Sequence, residues 1–377
     1  MLSVTRHELV NAAWEGLDAA QVWDSHVHVM GAGDSPSGIQ VNPRSQSAAN
    51  PAHYARRLFF LNAGCAYDVP GGSVDRAYVR RMLNLMAAMR RGVKLMLYAF
   101  ERCHGEDGKP DAERTMFHIP DGYAAELARE HPRYFEWVAS IHPYRADCVE
   151  ALQRAKQEGA RAVKWLPSSM NIDPASPRCD RFYEAAARLD MPIVSHAGLE
   201  RAVLGGSQDL GNPLRLRRPL DAGVRMVVAH CASMGQDVDT DKGANGPRVD
   251  SFELFSRLME DQRYEKKLFG DLSAMTQWNR AGPALAKVVE REDWHPRLLN
   301  GSDYPLPGIM PLFSLDFLVS LKLIEESAKP VLRTLREHNP LLFDFVLKRH
   351  LRVGRTGTNA GKALSRTVFE TRAFFVN

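Results

Sequence analysis

Val22-Trp23-Asp24-Ser25-His26-Val27-His28-Val29-Met30 is an apolar run interrupted by two histidines two positions apart. A β-strand turns alternate side chains to one face, so the stretch reads as a strand that presents two imidazoles side by side. Such a pair is the beginning of a metal site. Thirteen histidines in 377 residues place about half of one such pair by chance, so the remaining ligands must come from elsewhere along the chain.

Seven further short apolar runs occur, at 93–100, 135–142, 160–166, 192–196, 225–230, 267–272 and 297–302, and with 22–29 they make eight expected strands. Polar residues gather at their C-terminal ends: Glu101, His142, Lys164, His196, His230, Asp271 and Asp303. Amphipathic stretches lie between them, such as 75–91, with Val79, Met82, Leu83, Leu85, Met86 and Met89 largely on one side, and 180–189. Eight repeats of strand then helix predict an α/β chain folded as a (β/α)8 TIM barrel with long βα loops, a fold whose C-terminal strand ends carry the chemistry. The barrel is expected over 22–352, its last helices at 332–352 broken by Asn339-Pro340. Residues 1–21 read as a short helical extension that caps the barrel bottom or faces an oligomer partner. Residues 353–377 read as a tail whose tip, Ala373-Phe374-Phe375-Val376, docks on a neighbour.

Composition narrows the class. At 45% hydrophobic and 25% charged residues the chain can bury a substantial core. The net charge of +4 is interspersed and the basic clusters at 215–218 and 348–355 are short, which argues against a nucleic-acid partner. No apolar stretch approaches the roughly 18 residues of a membrane span. The first twenty residues carry Arg6, His7, Glu8 and Glu15 in place of a signal-peptide core. Five cysteines form no Cys-x-x-Cys pair and suit reduced thiols. A soluble, cytoplasmic enzyme for a small-molecule substrate is expected, with a homo-oligomer open.

With these residues in place, the chain resembles the amidohydrolase superfamily, and most closely its amidohydrolase-related branch of metal-dependent hydrolases, decarboxylases and hydratases. The matching pieces are Asp24-Ser25-His26-Val27-His28, Ala162-Val163-Lys164-Trp165-Leu166-Pro167, Pro192-Ile193-Val194-Ser195-His196-Ala197-Gly198, Val228-Ala229-His230-Cys231, Gly301-Ser302-Asp303-Tyr304-Pro305 and Asn339-Pro340. They run in order over about residues 20 to 350. The resemblance implies that His26, His28, His196 and Asp303 hold a divalent metal, Zn2+ first and Mn2+ or Fe2+ as alternatives, since imidazole and carboxylate ligands accept all three. It also implies catalytic roles for Asp303, which takes the proton of an activated water, and for His230, which polarises the substrate or holds a second metal. Tyr304 is placed at the substrate by its position in the same motif.

Lys164 has three readings: a carbon dioxide adduct bridging two metals, a substrate or water contact, or a structural ion pair. The first gives two ions, the others one. Arg215 and Arg218, with Arg217 between them, suit a carboxylate or phosphate on the substrate or else form a solvated helix face. Specificity is expected in three long loops, 31–67, 102–120 and 233–248, the last a mobile lid. The function these residues imply is a metal-activated water attacking the carbonyl of a lactone, amide or ester of a small carboxylated substrate. A non-oxidative decarboxylase or hydratase is the alternative, and an inactive barrel acting as a binding protein is a third possibility.

Overall fold

Runs of β-branched and apolar residues settle as strands where both faces can be covered. In the computed structural model, which describes residues 2–66, 72–203, 206–354, 356 and 360–376, eight such runs do so. They are β1 (Trp23–His28), β2 (Lys94–Tyr98), β3 (Phe135–Val138), β4 (Val163–Trp165), β5 (Ile193–His196), β6 (Met226–Ala229), β7 (Leu268–Asp271) and β8 (Leu298–Leu299). Each lies inside a stretch expected to be a strand. All neighbours pair in parallel, β1-β2-β3 in one sheet and β4-β5-β6-β7-β8 in another. Isolated bridges join the sheets at two seams. Ala139, just past β3, pairs with Val163 of β4, and Val27 of β1 pairs with Tyr304, just past β8. At the second seam Ser25 N donates to Asn300 O at 3.0 Å and Asp303 N to His26 O at 2.8 Å. The cyclic order is that of the expected (β/α)8 barrel.

Helices cover the outside. Val79, Met82, Leu85 and Met86 of the helix Val74–Ala87 are buried in one continuous core with Leu95 and Leu97 of β2. The barrel interior is a separate apolar layer of Trp23, Met96, Val138, Ala162, Val194, Val227 and Leu299. In β1 the register advances from Asp24 opposite Leu95 to Val27 opposite Leu97, so one extra residue is accommodated there. That bulge explains why Trp23 faces the interior while Val27 faces the helices, although strict alternation would put both on one face. Beyond it, His26 and His28 line the cavity at the top of the barrel.

The ends differ from the expectation. Phe375 belongs to the barrel's interior layer, and Phe374 packs on Phe269 of β7 with ring centroids 4.5 Å apart. The tip therefore closes this chain's own barrel instead of docking on a neighbour. Tail and barrel are further tied by Asn300 N donating to Val368 O at 2.8 Å and by Thr371 Oγ1 donating to Trp23 O. The N-terminal extension packs on the last helix of the barrel, where Trp14 stacks on Phe345 of Pro340–Arg349 at 4.1 Å and Arg349 Nε donates to Ala13 O, and it meets the tail where Asp18 N donates to Glu370 Oε1 at 3.4 Å. The expected break at Asn339-Pro340 separates Lys329–His338 from Pro340–Arg349. Of the expected segments, Met1, Tyr67, Arg355, residues 357–359 and Asn377 lie outside the described residues. No helix among the described residues is long and apolar enough to cross a membrane. Phe375→Ala should cost about 3 kcal/mol by removing a buried aromatic from the barrel layer, read as a lower urea midpoint at unchanged slope.

Candidate metal centre

The bulge in β1 delivers His26 and His28 with ring centroids 5.2 Å apart. Asp303 reaches them from the turn after β8, held at a φ of 58° that non-glycine residues seldom adopt. Its carboxylate is a meeting point: His28 Nε2 stands 3.2 Å and His26 Nε2 3.6 Å from Oδ1, and His230 Nε2 stands 3.7 Å from Oδ2. His230 directly follows β6 and opens a run of three left-handed residues, with φ of 55°, 48° and 50° at His230, Cys231 and Ala232. Backbone held in such sparsely populated regions gathers at functional sites.

Asp271, the last residue of β7, orients this group. Its Oδ2 accepts from His26 Nδ1 at 2.8 Å, and its Oδ1 accepts from the backbone of His230 and of Ser273, both at 3.0 Å, and from the Ser273 hydroxyl. His230 Nδ1 donates to Ser273 O at 2.8 Å. A carboxylate and a carbonyl only accept, so both rings carry their proton on Nδ1 and turn an Nε2 lone pair toward Asp303. Burial, with Lys164 nearby, pushes His26 down to about 4, and burial, with Arg280 nearby, pushes His230 down to about 3. Both are therefore neutral at neutral pH. Burial alone would raise Asp303, but His26, His28 and His230 outweigh it and hold the carboxyl well below its ordinary value.

These groups fit a divalent metal. Donor atoms of His26, His230 and Asp303 lie within 4.8 Å of one another, and they comprise neutral imidazole nitrogens with outward lone pairs and one carboxylate. The structure thus brings His26, His28, His230 and Asp303 together. His196 reaches the same cavity, its ring 5.4 Å from that of His230, but lies outside the mutually close group. Its Nε2 is 3.1 Å from Glu200 Oε2 without hydrogen-bond geometry. The tautomer of His230 bears on its expected role. A neutral ring with Nδ1 engaged cannot donate from Nε2, so His230 suits a ligand or a proton acceptor better than a group that polarises a carbonyl.

Lys164, on β4, is buried with Nζ 3.2 Å from His26 Nε2 and 5.1 Å from the centroid of the Tyr98 ring. Burial pushes its ammonium down against the pull of Asp271, Asp303 and Glu200. A cavity of about 290 Å3 opens above the group. Its lining includes the apolar Met30, Phe59, Phe60, Phe100, Phe117 and Leu166 and the polar Glu200, Gln277, Asn279 and Arg280. Gln277 Nε2 is buried without a hydrogen-bond partner.

Other expected substrate contacts lie elsewhere. Arg215 Nη1 pairs with Asp173 at 2.8 Å and Arg218 grips Asp180 through two 2.7 Å bonds; neither lines the cavity. Tyr304 packs its ring toward Tyr78 and contributes its backbone carbonyl, which accepts from His28 N at 2.9 Å. In the 233–248 segment Gln236–Val238 pairs with Arg248–Asp250, and Arg257 and Arg217 grip Asp239 and Asp241. Of that segment only Met234 lines the cavity, so it is an anchored ribbon beside the mouth in place of the expected lid. The cavity is instead walled by the helix Pro51–Ala63 of the first loop.

Sequence reading gave no role to Asp271, Glu200, Gln277 or Arg280. Asp271 was visible as an acid ending an apolar run; the other three sit in segments without periodic pattern. Asp271→Asn should lower metal affinity about 10- to 100-fold, because the ring of His26 loses the acceptor that fixes it. Equilibrium dialysis against Zn2+ measures this.

No curated protein matches the sequence. Solved structures are similar at low identity. A TIM-barrel protein from Bordetella bronchiseptica is 15% identical with a TM-score of 0.49, over 83% of this chain and 98% of that one. A probable 2-pyrone-4,6-dicarboxylic acid hydrolase from Acinetobacter baumannii, with citric acid bound, is 14% identical at 0.44, over 84% and 94%. A 5-carboxyvanillate decarboxylase from Novosphingobium aromaticivorans, with bound manganese, is 12% identical at 0.45, over 82% and 93%. The sequence itself matches the amidohydrolase family model from residue 23 to residue 308, from the start of β1 to just beyond the Asp303 turn, and the chain belongs to that family.

Proposed function

We propose that the protein is a metal-dependent hydrolase acting on the carbonyl of a small lactone, amide or ester. The observation that carries the reading is the convergence of the His26 and His230 Nε2 lone pairs, with His28 Nε2 beside them, on an ionised Asp303, in a cavity that also offers the unpartnered Gln277 Nε2. His26, His28 and Asp303 would hold the ion, with His230 or His196 completing the set. A bound divalent metal supplies Lewis acidity and a water of lowered pKa. Asp303, an acceptor only, receives a proton at its carboxylate and returns it to the leaving group. Gln277 Nε2 and the Arg280 guanidinium donate toward the oxygen on which charge develops. Phe60, Phe100, Phe117 and Leu166 in the lining exclude bulk water from the cavity.

The test is a pH-stat assay on a panel of lactones and p-nitrophenyl acetate, run beside ninhydrin detection of the amine freed from N-acyl amides and a coupled carbon dioxide assay on aryl carboxylates. Acid or amine release that a chelator abolishes and Zn2+ or Mn2+ restores supports hydrolysis. Carbon dioxide release without acid release assigns a decarboxylase instead, and no turnover by metal-loaded protein leaves a binding protein.

A further inference from the structure

The helix Pro51–Ala63 places His53, Arg56 and Arg57 on one face, at i, i+3 and i+4. That face borders a side chamber of about 50 Å3 that shares Met30, Arg56, Phe60 and Phe117 with the main cavity. Other walls of the chamber are apolar, among them Ile39, Val41, Leu61 and Ile119. His53 Nδ1, Arg56 Nη1 and Arg57 Nε are buried there without a hydrogen-bond partner, and among the described residues neither guanidinium has an ion pair. Several other guanidiniums pair with carboxylates, such as Arg145 with Glu101, Arg218 with Asp180 and Arg257 with Asp239, and buried Arg336 is satisfied by backbone carbonyls. Both arginines are half-buried, and each keeps one buried nitrogen that lacks an acceptor an anion would supply. A chamber of this size admits one small charged group, and guanidinium forks match carboxylate and phosphate oxygens.

We propose that the chamber is an anion subsite, in which Arg56 and Arg57, assisted by His53, bind a carboxylate or phosphate of the substrate while its reactive group lies at the Asp303 centre. The assignment of the reactive end rests on the hydrolase function proposed for that centre. Arg56 borders both spaces and so joins the two ends of the ligand. The substrate class implied is an apolar or aromatic body carrying one anionic group, its body against Phe60 and Phe117. The anion is thus held by the first βα loop, far in sequence from Arg215 and Arg218.

Isothermal titration calorimetry of the full chain with benzoate, phenyl phosphate and neutral benzyl alcohol tests this without reading turnover. At least one anion should bind about tenfold or more tightly than the alcohol, and the preferred anion tells carboxylate from phosphate. The Arg56→Gln/Arg57→Gln protein should bind it roughly 10- to 100-fold more weakly, while metal removal by a chelator should change the affinity far less than this. The single Arg56→Gln protein carries the comparison if the double variant does not fold. Equal binding of the alcohol, no anion binding up to about 10 mM, or wild-type affinity in the folded variants would overturn the subsite. So would binding that the chelator abolishes and the arginine changes leave intact. Anion binding without turnover would remove the hydrolase reading alone, and turnover without anion binding the subsite alone.

Discussion

Asp303→Asn should lower kcat/KM by about a thousandfold or more, within the range a proton-transferring group contributes, and should strip most of the bound metal. Asparagine keeps the shape and one acceptor oxygen but removes the charge on which His26, His28 and His230 converge. It also puts an N–H in the place of an acceptor, facing imidazole lone pairs or the metal. The backbone role of the residue, Asp303 N donating to His26 O, survives the change, so circular dichroism should remain that of the wild type. Because its neighbours hold the Asp303 carboxyl well below the ordinary carboxylate range, it stays ionised through mildly acid pH. Its charge-dependent stabilisation is therefore present above the ordinary carboxyl pKa and is lost only as pH falls through the lowered value. Wild-type activity should accordingly show no acid limb from this group near neutrality. Steady-state kinetics from about pH 5 to pH 8 on both proteins decide the point.

The largest expected effect on stability lies behind the site. Lys348 is buried, with Nζ donating to Asp344 Oδ2 at 2.7 Å and to Gly301 O at 2.6 Å. Nearby Asp24 accepts from Ser302 N at 2.8 Å and from His26 N at 3.3 Å. The cluster thus fixes two of the backbone segments that carry metal-facing residues, that of His26 and that of Asp303. Lys348→Met leaves Asp344 a buried carboxylate without its cation and should cost about 3–5 kcal/mol. Burial raises Asp344 to about 7 even though Lys348 pulls it down. A folded value above the unfolded one means that the native state holds the extra proton, so this contribution is present at low pH and is lost as pH rises toward about 7. Removing Lys348 raises the folded value further, so the penalty in the variant should be larger at about pH 8 than at about pH 5.5. Urea unfolding at the two pH values measures it. Adding Asp344→Leu should recover part of the loss, because an apolar pair avoids the desolvation of a lone charge.

The barrel strands were legible because each is a local run: Met226-Val227-Val228-Ala229 announces a strand buried on both faces wherever it lies in space. The two β1 histidines and Asp303 were legible for a related reason, since each stands at the end of such a run. What depended on which residues meet across the fold was not. Arg218 looked free to take a substrate until Asp180, 38 residues earlier in the chain, was placed beside it. Arg56 and Arg57 lie in a loop expected to carry specificity, but that no acid stands beside them among the described residues depends on the fold and not on the loop's own sequence. Phe375 looked like an exposed apolar tip because nothing local says that the barrel bottom is open to receive it. Asp271 was seen at a strand end, but its task of orienting His26 and His230 depends on an interlocking of β1, β6 and β7 that no single segment encodes.

Metal content per chain, measured by inductively coupled plasma mass spectrometry on wild-type and Asp303→Asn protein purified without chelator and then incubated with Zn2+ or Mn2+, tests the centre most directly. About one divalent ion per wild-type chain is expected, or two if Lys164 bridges, and a small fraction of that in the variant. A wild-type chain that retains no ion after loading, or a variant that retains as much as the wild type, would contradict it.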